Sequence, residues 1–307
     1  MNFSSFDYFV ILARERSFTK AAQQLHITQQ SLSSHIASLE EELGCQLLIR
    51  HVPLEITYAG TVFLRYAETV QRELKTMRRE FCDITQNQKG ILRIGIAFTR
   101  GRAIMPDLIL KFQKQYPNIE IELSEAANKT LYYKLINGEV DLTIAHFSNT
   151  MQNVELCDFY REEVVLLVSK TCLRQISAEN TEEIAEQLEK GDLSAFRSCP
   201  FLLGNFDDIA GKIGRTMLEK ANISPVVKAK SDNIETLLSL CMQGAGACFC
   251  PENLAYAAVS PDDLRQTYRF RLGKQAEYPI KFGFLKSNYQ WKIISEFIRL
   301  AKEGLSE

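Results

Sequence analysis

SFTKAAQQLHITQQSLSSHIASLEEELG, residues 17–44, contains two short helical patterns separated by a polar break. In the first pattern small apolar residues recur on one face, and Thr19 stands where an N-cap hydroxyl would accept a free backbone N–H. The second pattern follows Thr28, a good capping residue, and stops at Gly44, because glycine commonly ends helices. Two such helices joined by a tight turn are typical of a small domain that presents one helix to a DNA groove.

The second helical pattern has one apolar face and one polar face. Leu32, Ile36, Leu39 and Leu43 follow one another at spacings of four and three, which predicts a stripe buried against the first helix. Amide, hydroxyl and imidazole side chains at the opposite face can hydrogen-bond to base edges or phosphates. The alternative is a polar face that is simply solvated. We predict DNA contacts from Thr28, Gln29, Gln30, Ser31, Ser33, Ser34, His35 and, further along, Arg50.

The next two segments predict a wing and a long helix. Residues 47–57, LLIRHVPLEIT, are rich in branched side chains around Pro53, as expected for a two-stranded ribbon with a tight tip. Residues 59–88 then lack proline, and their apolar residues alternate at spacings of four and three, which predicts a helix that pairs lengthwise with a second copy. The alternative is an amphipathic helix that lies on its own domain. The predicted dimerisation residues are Phe63, Ala67, Val70, Leu74, Met77, Phe81 and Ile84.

The N-terminal segment as a whole, Met1 to about Gln88, resembles a LysR-type transcriptional regulator. The resemblance is carried by Phe6, Phe9, Ser17, Ala21, Ala22, Leu25, Thr28, Gln29, Ser31, Leu32, Ser33, Ile36, Leu39, Glu40, Leu43, Gly44, Leu47, Arg50, Thr57, Ala59 and Gly60. It implies a winged helix-turn-helix DNA-binding domain at 1–58, a dimerisation linker helix at 59–88 and an effector-binding regulatory domain at 89–307.

The charge of the N-terminal segment is unusual for a DNA-binding domain. Residues 1–60 contain four Lys or Arg against six Asp or Glu, and the whole chain has a formal net charge of -2. Neutralisation of phosphates supplies most non-specific affinity for DNA, so we expect a single copy to bind weakly. Two or more copies acting together are therefore predicted, as a homodimer or a homotetramer.

Beyond Gly90 strand and helix patterns alternate, which predicts an α/β domain with a largely parallel sheet. We expect two subdomains, I at about 91–162 and 271–307 and II at about 163–270, in an arrangement that resembles periplasmic binding proteins. The two strands predicted near 268–272 and 280–285, with the helix at 290–302, are expected to complete the first subdomain. Strands that cross between the subdomains would leave a cleft.

A candidate effector site follows the first strand, where Phe98-Thr99-Arg100-Gly101-Arg102 precedes a predicted helix. Free N–H groups at a helix start and two guanidinium groups favour an anion, so we predict that Thr99, Arg100 and Arg102 hold an effector carboxylate or phosphate. The alternative is two surface arginines paired with acids elsewhere. The LysR resemblance also implies effector contact by Thr99. Ligands sit beyond the carboxyl ends of strands, so the further candidates are His146, Phe147, Asn205 and Phe206.

The remaining patterns limit the class of protein. The sequence has no apparent signal peptide and no run of 18 apolar residues, so we expect a cytoplasmic protein with no membrane contact. GxSxG, HExxH, P-loop and complete GxGxxG motifs are missing, so we expect no enzyme, cofactor or metal.

Cys241, Cys248 and Cys250 leave a redox-sensing regulator open, and residues 91–307 alone would suit a solute-binding protein. The favoured hypothesis is a DNA-binding transcriptional regulator that binds double-stranded DNA, a small effector and a second copy of itself, with RNA polymerase as a further candidate partner.

Overall fold

The computed structural model of the protein describes residues 3–51, 54–85, 89–147, 151–176, 181–204, 208–287 and 289–304. Contacts between residues divide the chain into two units. The first is Met1–Asn87 together with Tyr289–Trp291, and the second is Gln88–Asn288 together with Lys292–Glu307. The first unit is mainly helical, whereas the second is α/β.

The described residues of the first unit form four helices and a small ribbon. They are α1 (Phe3–Glu15), α2 (Phe18–Gln24), α3 (Gln29–Leu43), the antiparallel strands β1 (Leu48–Ile49) and β2 (Glu55–Ile56), and α4 (Tyr58–Ile84). Leu32, Ile36 and Leu39 of the predicted stripe of α3 are buried with apolar residues of α1 and α2, which gives the unit a core of its own. Leu43 was also predicted to be buried, but it lies at the end of α3 with a relative exposure of 41%. This is a winged helix-turn-helix, in which β1 and β2 form the wing.

Side chains at the helix ends explain where α3 begins and ends. The Thr28 hydroxyl accepts a hydrogen bond from the backbone N–H of Ser31 at 3.1 Å. At the other end Gly44 adopts the left-handed conformation, with φ of 67°. Both predicted caps are therefore confirmed, and they fix α3 to the segment between them.

The cap of α2 differs from the prediction. Ser17, in an extended conformation, is the N-cap, and its hydroxyl accepts from the backbone N–H of Lys20 at 3.4 Å. Thr19 lies one residue inside the helix, and its hydroxyl donates to the Gln29 side chain at 3.1 Å. An N-cap residue is itself outside the helical conformation; Ser17 is extended, whereas Thr19 already belongs to the helix, so the prediction of Thr19 was wrong.

The first part of α4 packs within its own unit. Phe63 stacks on Phe6, with ring centroids 5.5 Å apart, and meets the ring of Phe9 edge-on at 5.1 Å. Ala67 is also fully buried in this core. These two predicted dimerisation residues are therefore inaccessible to a second copy, because α1 already covers them.

The later part of α4 is different. Val70 and Leu74 are half-buried. Met77, Phe81 and Ile84 have relative exposures of 46%, 59% and 69%. The predicted apolar stripe thus divides along the helix: its beginning belongs to the core of the unit, and its end presents large apolar side chains to solvent.

The second unit begins with alternating strands and helices. The elements of this first lobe are β3 (Gly90–Ile96), α5 (Phe98–Gln115), β4 (Ile119–Glu125), α6 (Asn128–Ile136) and β5 (Leu142–Ala145). β3 pairs in parallel with both β4 and β5. α5 begins at Phe98, so the segment from Phe98 to Arg102 forms its first turn and does not precede the helix as predicted.

The chain then enters the second lobe through one long strand. The elements in order are β6 (Val154–Ser169), α7 (Lys170–Ile176), α8 (Thr181–Glu189), β7 (Pro200–Leu203), α9 (Ile209–Lys220), β8 (Val226–Lys230), α10 (Ile234–Met242), β9 (Ala247–Pro251), α11 (Glu252–Ala258), α12 (Pro261–Arg265) and β10 (Thr267–Arg271). β7 pairs in parallel with β8 and β9. β10 pairs with the end of β6, in the second lobe, so it does not complete the first lobe as predicted.

β11 (Glu277–Leu285) and α13 (Lys292–Gly304) then return the chain to the first lobe, where β11 pairs with β5. The main sheet has the order β4-β3-β5-β11-β6-β9-β7-β8, with β10 on β6. β6 pairs along its first part with β11 and, from Val164 onward, with β9 and β10. β6 and β11 therefore join the two lobes, as the expected crossing strands do.

Candidate functional site

The N-terminal part of α3 presents polar side chains to solvent. Gln29, Gln30 and Ser34 are exposed, and Ser31 and Ser33 are half-buried. Thr28 is engaged as the cap of the helix. These residues sit on the helix that enters the major groove in this class of motif, and their amide and hydroxyl groups suit base edges.

Two other predicted DNA-binding residues make contacts within the first unit. The His35 ring meets the edge of Tyr8, with centroids 5.0 Å apart. Arg50 donates to the Glu40 carboxylate at 2.9 Å and lies over the ring of Phe18, 5.9 Å from its centroid. Because Glu40 offsets its charge, Arg50 adds less to the attraction of DNA phosphates than a free guanidinium would.

A cavity of about 290 Å³ lies between the two lobes of the second unit. Its wall is more apolar than polar. The residues around it are Ala97, Phe98, Thr99, Arg100, Ala126, Ala127 and Asn128 from the first lobe, Asp208, Ile209, Ala210, Asp232, Ile234 and Pro251 from the second, and Tyr278 of β11. A volume at the lower end of the range for ligand pockets fits a small molecule.

Helix N-termini from both lobes point at this cavity, but they are capped differently. α5 and α6 follow Ala97 and Ala127, whose methyl side chains cannot accept a hydrogen bond. In contrast, the Asp208 carboxylate accepts from an N–H of α9, and Asn233 does the same for α10. The first lobe therefore offers backbone donors to a ligand, whereas the second lobe uses its own side chains to satisfy them.

Arg100 lies in the first turn of α5 but does not reach freely into the cavity. Its Nε and Nη2 atoms each donate to a different oxygen of Glu162 at 2.9 Å, and Nη1 donates to the carbonyl oxygen of Ile144 at 3.3 Å. The Arg100 and Glu162 side chains have relative exposures of only 3% and 4%. Arg100 was predicted to offer a free guanidinium to a ligand, but in the structure it forms a buried, bidentate ion pair.

Two hydroxyl groups complete this buried cluster. Tyr160 donates to one oxygen of Glu162 at 2.6 Å, and Tyr278 donates to the other at 2.5 Å. Burial alone would raise the pKa of Glu162, but Arg100 and the two hydroxyls together lower it below its usual value. Burial and the nearby carboxylate raise the pKa of both tyrosines. The cluster therefore contains one carboxylate, one guanidinium and two neutral phenols.

Arg102 spans the mouth of the cleft. Its Nη1 atom lies 2.5 Å from an oxygen of Glu235 at the start of α10, and both side chains are more than 40% exposed. This ion pair links the two lobes, but an exposed pair contributes little to stability, typically about 0–1 kcal/mol. Arg102 therefore matches the alternative of an arginine paired with an acid elsewhere.

The other predicted effector residues lie apart from the cavity wall or outside the described residues. The Nδ1 atom of His146 is 3.0 Å from the carbonyl oxygen of Pro279, which suits a structural histidine. Phe147 is buried in the core of the first lobe beside Leu131, so packing and not ligand contact explains its position. Asn205 and Phe206 fall outside the described residues.

Two family models cover nearly all of the sequence. Residues 3–61 match the bacterial regulatory helix-turn-helix protein, lysR family, and residues 85–306 match the LysR substrate binding domain. The chain belongs to the LysR family. It is a transcriptional regulator with a DNA-binding helix-turn-helix and an effector-binding domain, and the prediction drawn from residues 1–88 is confirmed. A solute-binding protein without a DNA-binding domain is excluded by the first match.

Similar proteins and structures agree with this membership. The chain is 30% identical to the HTH-type transcriptional regulator YcgK of Bacillus subtilis over 100% of its own length and 96% of the relative. It is 27% identical to a probable cat1 operon transcriptional activator of Acinetobacter lwoffii, with coverage of 100% and 97%. Full-length OxyR from Pseudomonas aeruginosa has the same fold, with a TM-score of 0.71, 20% identity and 98% of each chain covered. CbnR bound to its target DNA gives a TM-score of 0.63, with 21% identity and 99% of each chain covered.

The cysteines of this LysR-family regulator give little support to the redox alternative as it was predicted. Cys241, Cys248 and Cys250 are all buried, and the Cys241 thiol donates to the carbonyl oxygen of Leu167 at 3.4 Å. A hydrogen bond with Cys241 and burial raise the pKa of Cys248, and burial raises that of Cys250. A raised pKa lowers the fraction of thiolate, which is the reactive form, so burial and pKa both disfavour a redox role for these two thiols. Among the described residues, no group of three His, Cys, Asp or Glu is placed to hold a metal ion.

Sequence reasoning missed several residues of the cavity wall and of the buried charged cluster beside it. Glu162 and Tyr278 are paired across β6 and β11, yet they lie 116 residues apart in sequence. Ala97 and Ala127 carried a usable signal, because alanine is a poor residue at the start of a helix. Two alanines in that position, each after a strand, indicate helix ends whose donors are left for another partner.

Within the described ranges, no helix is long and apolar enough to cross a membrane.

Proposed function

We propose that this regulator binds specific DNA sites as a homodimer and that a small ligand with one anionic group controls it from the cleft of the effector-binding domain. The observation that carries the proposal is the cavity of about 290 Å³, where two alanine-capped helix N-termini face apolar walls. The protein acts by binding alone, in the cytoplasm where its DNA target lies. The proposal also includes assembly of two dimers into a homotetramer and contact of the DNA-bound protein with RNA polymerase.

The DNA-binding part of the proposal rests on α3. Gln29 and Gln30 are exposed, and their amides have the donor and acceptor pair that adenine recognises. Ser33 and Ser34 add hydroxyls one turn further along the same helix. With Arg50 engaged by Glu40, these neutral groups, and not a strong positive charge, determine where the protein binds.

The test of this part uses a DNA site selected from a random-sequence pool by the full-length protein. Gln29→Ala is expected to reduce discrimination between the selected site and unrelated DNA by about 1–3 kcal/mol, the usual contribution of one lost base contact. Gln24→Ala is the matched control, because Gln24 is equally exposed but lies at the end of α2. Equal footprints and affinities for Gln29→Ala and the unmodified protein would contradict the assignment.

The homodimer follows from the later part of α4. Met77, Phe81 and Ile84 expose large apolar side chains at a spacing of four and three. Such a stripe suits a second copy of the same helix, which would bury it in a coiled-coil contact. A dimer also compensates for the weakly charged DNA-binding unit, because two copies double the number of base and phosphate contacts.

The effector part follows from the chemistry of the cavity wall. The first N–H groups of α5 and α6 have no partner within their own helices, and the helix dipoles favour negative charge beside them. Thr99, in the first turn of α5, also lines the cavity. The remainder of the wall is mostly Ala, Ile, Phe and Pro, so the proposed ligand has a carboxylate or similar group at one end and an apolar body.

A thermal-shift series with the full-length protein tests the effector part. Short monocarboxylates, from acetate to hexanoate and benzoate, are expected to raise the melting temperature, because ligands that bind only the folded state stabilise it. Ala127→Asp places a carboxylate at the start of α6 and is expected to abolish the effect. The matched control Ala221→Asp alters the C-terminal end of α9, away from the cavity. Shifts of equal size in Ala127→Asp and the unmodified protein would refute the proposed site.

A further inference from the structure

The Arg100–Glu162 pair occupies a place where an anion-binding pocket would be expected to offer a free positive charge. Arg100 lines the cavity, and its guanidinium uses the two donors of its fork on Glu162. Glu162 in turn accepts four hydrogen bonds, two from Arg100 and one each from Tyr160 and Tyr278. A buried carboxylate thus lies directly behind two residues of the cavity wall, Arg100 and Tyr278, and it is bound as a ligand carboxylate would be.

The Glu162 carboxylate reduces the ability of the Arg100 guanidinium to attract a ligand anion. A ligand anion that approached the Arg100 guanidinium from the cavity would also approach the carboxylate of Glu162, and like charges at such short range repel. The side chains are almost fully buried, so solvent screens that repulsion poorly. A lowered pKa keeps Glu162 ionised at neutral pH, which supports the same conclusion.

The second lobe adds no positive charge to the described lining. Its ionisable residues there are Asp208 and Asp232, and Asp208 already accepts from an N–H of α9. Arg102, the nearest other cation on α5, pairs with Glu235 at the cleft mouth. The N-termini of α5 and α6 are therefore the part of this wall best suited to an anion, and they lie together on the first lobe.

We propose that Glu162 is a specificity-determining residue: by neutralising Arg100 it makes the cavity select ligands with a single anionic group and reject those with a second one. The inference rests on the proposed effector site. Ligands with one carboxylate place it at the N-termini of α5 and α6, and the apolar remainder fills the cavity. A second carboxylate is repelled by the negative charge of Glu162 behind Arg100 and by the carboxylates of the second lobe.

The experiment measures dissociation constants of the full-length protein for three length-matched pairs: butyrate and succinate, pentanoate and glutarate, and hexanoate and adipate. Titration calorimetry at pH 7.5 and constant ionic strength keeps all carboxylates ionised. In the unmodified protein each monocarboxylate is expected to bind at least tenfold more tightly than its dicarboxylate partner. Dicarboxylates that bind equally well or better would overturn the proposal, and this comparison needs no variant.

Glu162→Gln then tests the residue itself. With the internal negative charge removed and Arg100 retained, the preference for monocarboxylates is expected to fall at least tenfold, so that matched pairs bind about equally. Glu163→Gln is the matched control, because Glu163 is the next residue of β6 and its carboxylate is paired with Arg271. An unchanged preference in folded Glu162→Gln, or an equal change in Glu163→Gln, would contradict the assignment.

The outcomes separate the inference from the proposed function. If monocarboxylates and dicarboxylates bind the unmodified protein equally, and Ala127→Asp abolishes both, the effector site stands and the role of Glu162 is refuted. If none of the six probes binds, the proposed anion site itself is refuted, and the inference falls with it. Far-UV circular dichroism of each variant at the titration temperature establishes that the folded protein is compared.

Discussion

Replacement of Arg100 by methionine is expected to destabilise the effector-binding domain strongly. The variant leaves the Glu162 carboxylate buried, with the Tyr160 and Tyr278 hydroxyls as its remaining donors. Removal of one partner of a buried ion pair costs about 3–5 kcal/mol. In a unit of about 200 residues each kcal/mol corresponds to roughly 2–4 °C, so the melting temperature should fall by roughly 6–20 °C.

A double variant shows whether this loss comes from the pair. Arg100→Met combined with Glu162→Leu replaces both charges by apolar side chains of similar volume, which is often neutral or stabilising. The two tyrosine hydroxyls lose an acceptor, at about 1–3 kcal/mol each. We therefore expect the double variant to lose about as much stability as Arg100→Met alone, and much less than the sum of the two single losses, so that the two substitutions are strongly non-additive.

Urea unfolding followed by far-UV circular dichroism measures these free energies. The matched control is Arg102→Met, two residues along α5, because its ion pair with Glu235 is exposed and should change stability by less than about 1 kcal/mol. If Arg100→Met were as stable as Arg102→Met, or if the losses of the double variant were simply additive, the description of a buried and coupled cluster would be refuted.

Three further predictions concern pH, packing and self-association. The pKa of Glu162 is lower in the folded protein than its usual 4.5, so the stability that ionised Glu162 contributes is present above that pH and is lost as the pH falls through the folded pKa. The difference in unfolding free energy between the unmodified protein and Glu162→Gln should therefore shrink as the pH is lowered. A difference that stayed constant with pH would contradict the lowered pKa. Gly60→Ala should cost about 1–3 kcal/mol in urea unfolding, since the new Cβ would clash with the backbone carbonyl oxygen of Leu47, whereas at Gly304, where the nearest atom is 3.9 Å away, the same change should be tolerated. Phe81→Gln or Ile84→Gln should weaken dimerisation at least tenfold in sedimentation equilibrium, because each removes an apolar side chain with about 1.5–3 kcal/mol of burial energy; an unchanged dimer would place the interface elsewhere.

Local patterns predicted the first unit well because its determinants are close in sequence. Thr28 and Gly44 act on the backbone of the helix that they flank, so the bounds of α3 were predictable. The same reasoning failed for Thr19, because two neighbouring hydroxyls compete for one cap and only the backbone conformation of Ser17 decides between them. The periodicity of α4 was also correct, but periodicity does not say whether an apolar stripe packs on its own unit or on a second copy.

The candidate site was less predictable because its charges are distant in sequence. Thr99 and Arg100 were correctly expected beside a helix start, and both line the cavity. Glu162 neutralises Arg100, so the arginine does not offer the free positive charge that the sequence predicted. Glu162 lies 62 residues away in sequence, on β6, whose first half carries too many charged residues to be recognised as a strand. Pairing of β6 with β11 brings Glu162 beside Tyr278, and no local pattern encodes that register.

The most direct test of the account is hydrogen–deuterium exchange of the full-length protein with and without the monocarboxylate that raises its melting temperature most. The account predicts that bound ligand slows exchange in peptides covering 97–101 and 127–130, where the N–H groups of α5 and α6 begin. Unchanged exchange in both segments at saturating ligand, with protection elsewhere in the chain, would contradict the claim that these helix ends hold the effector.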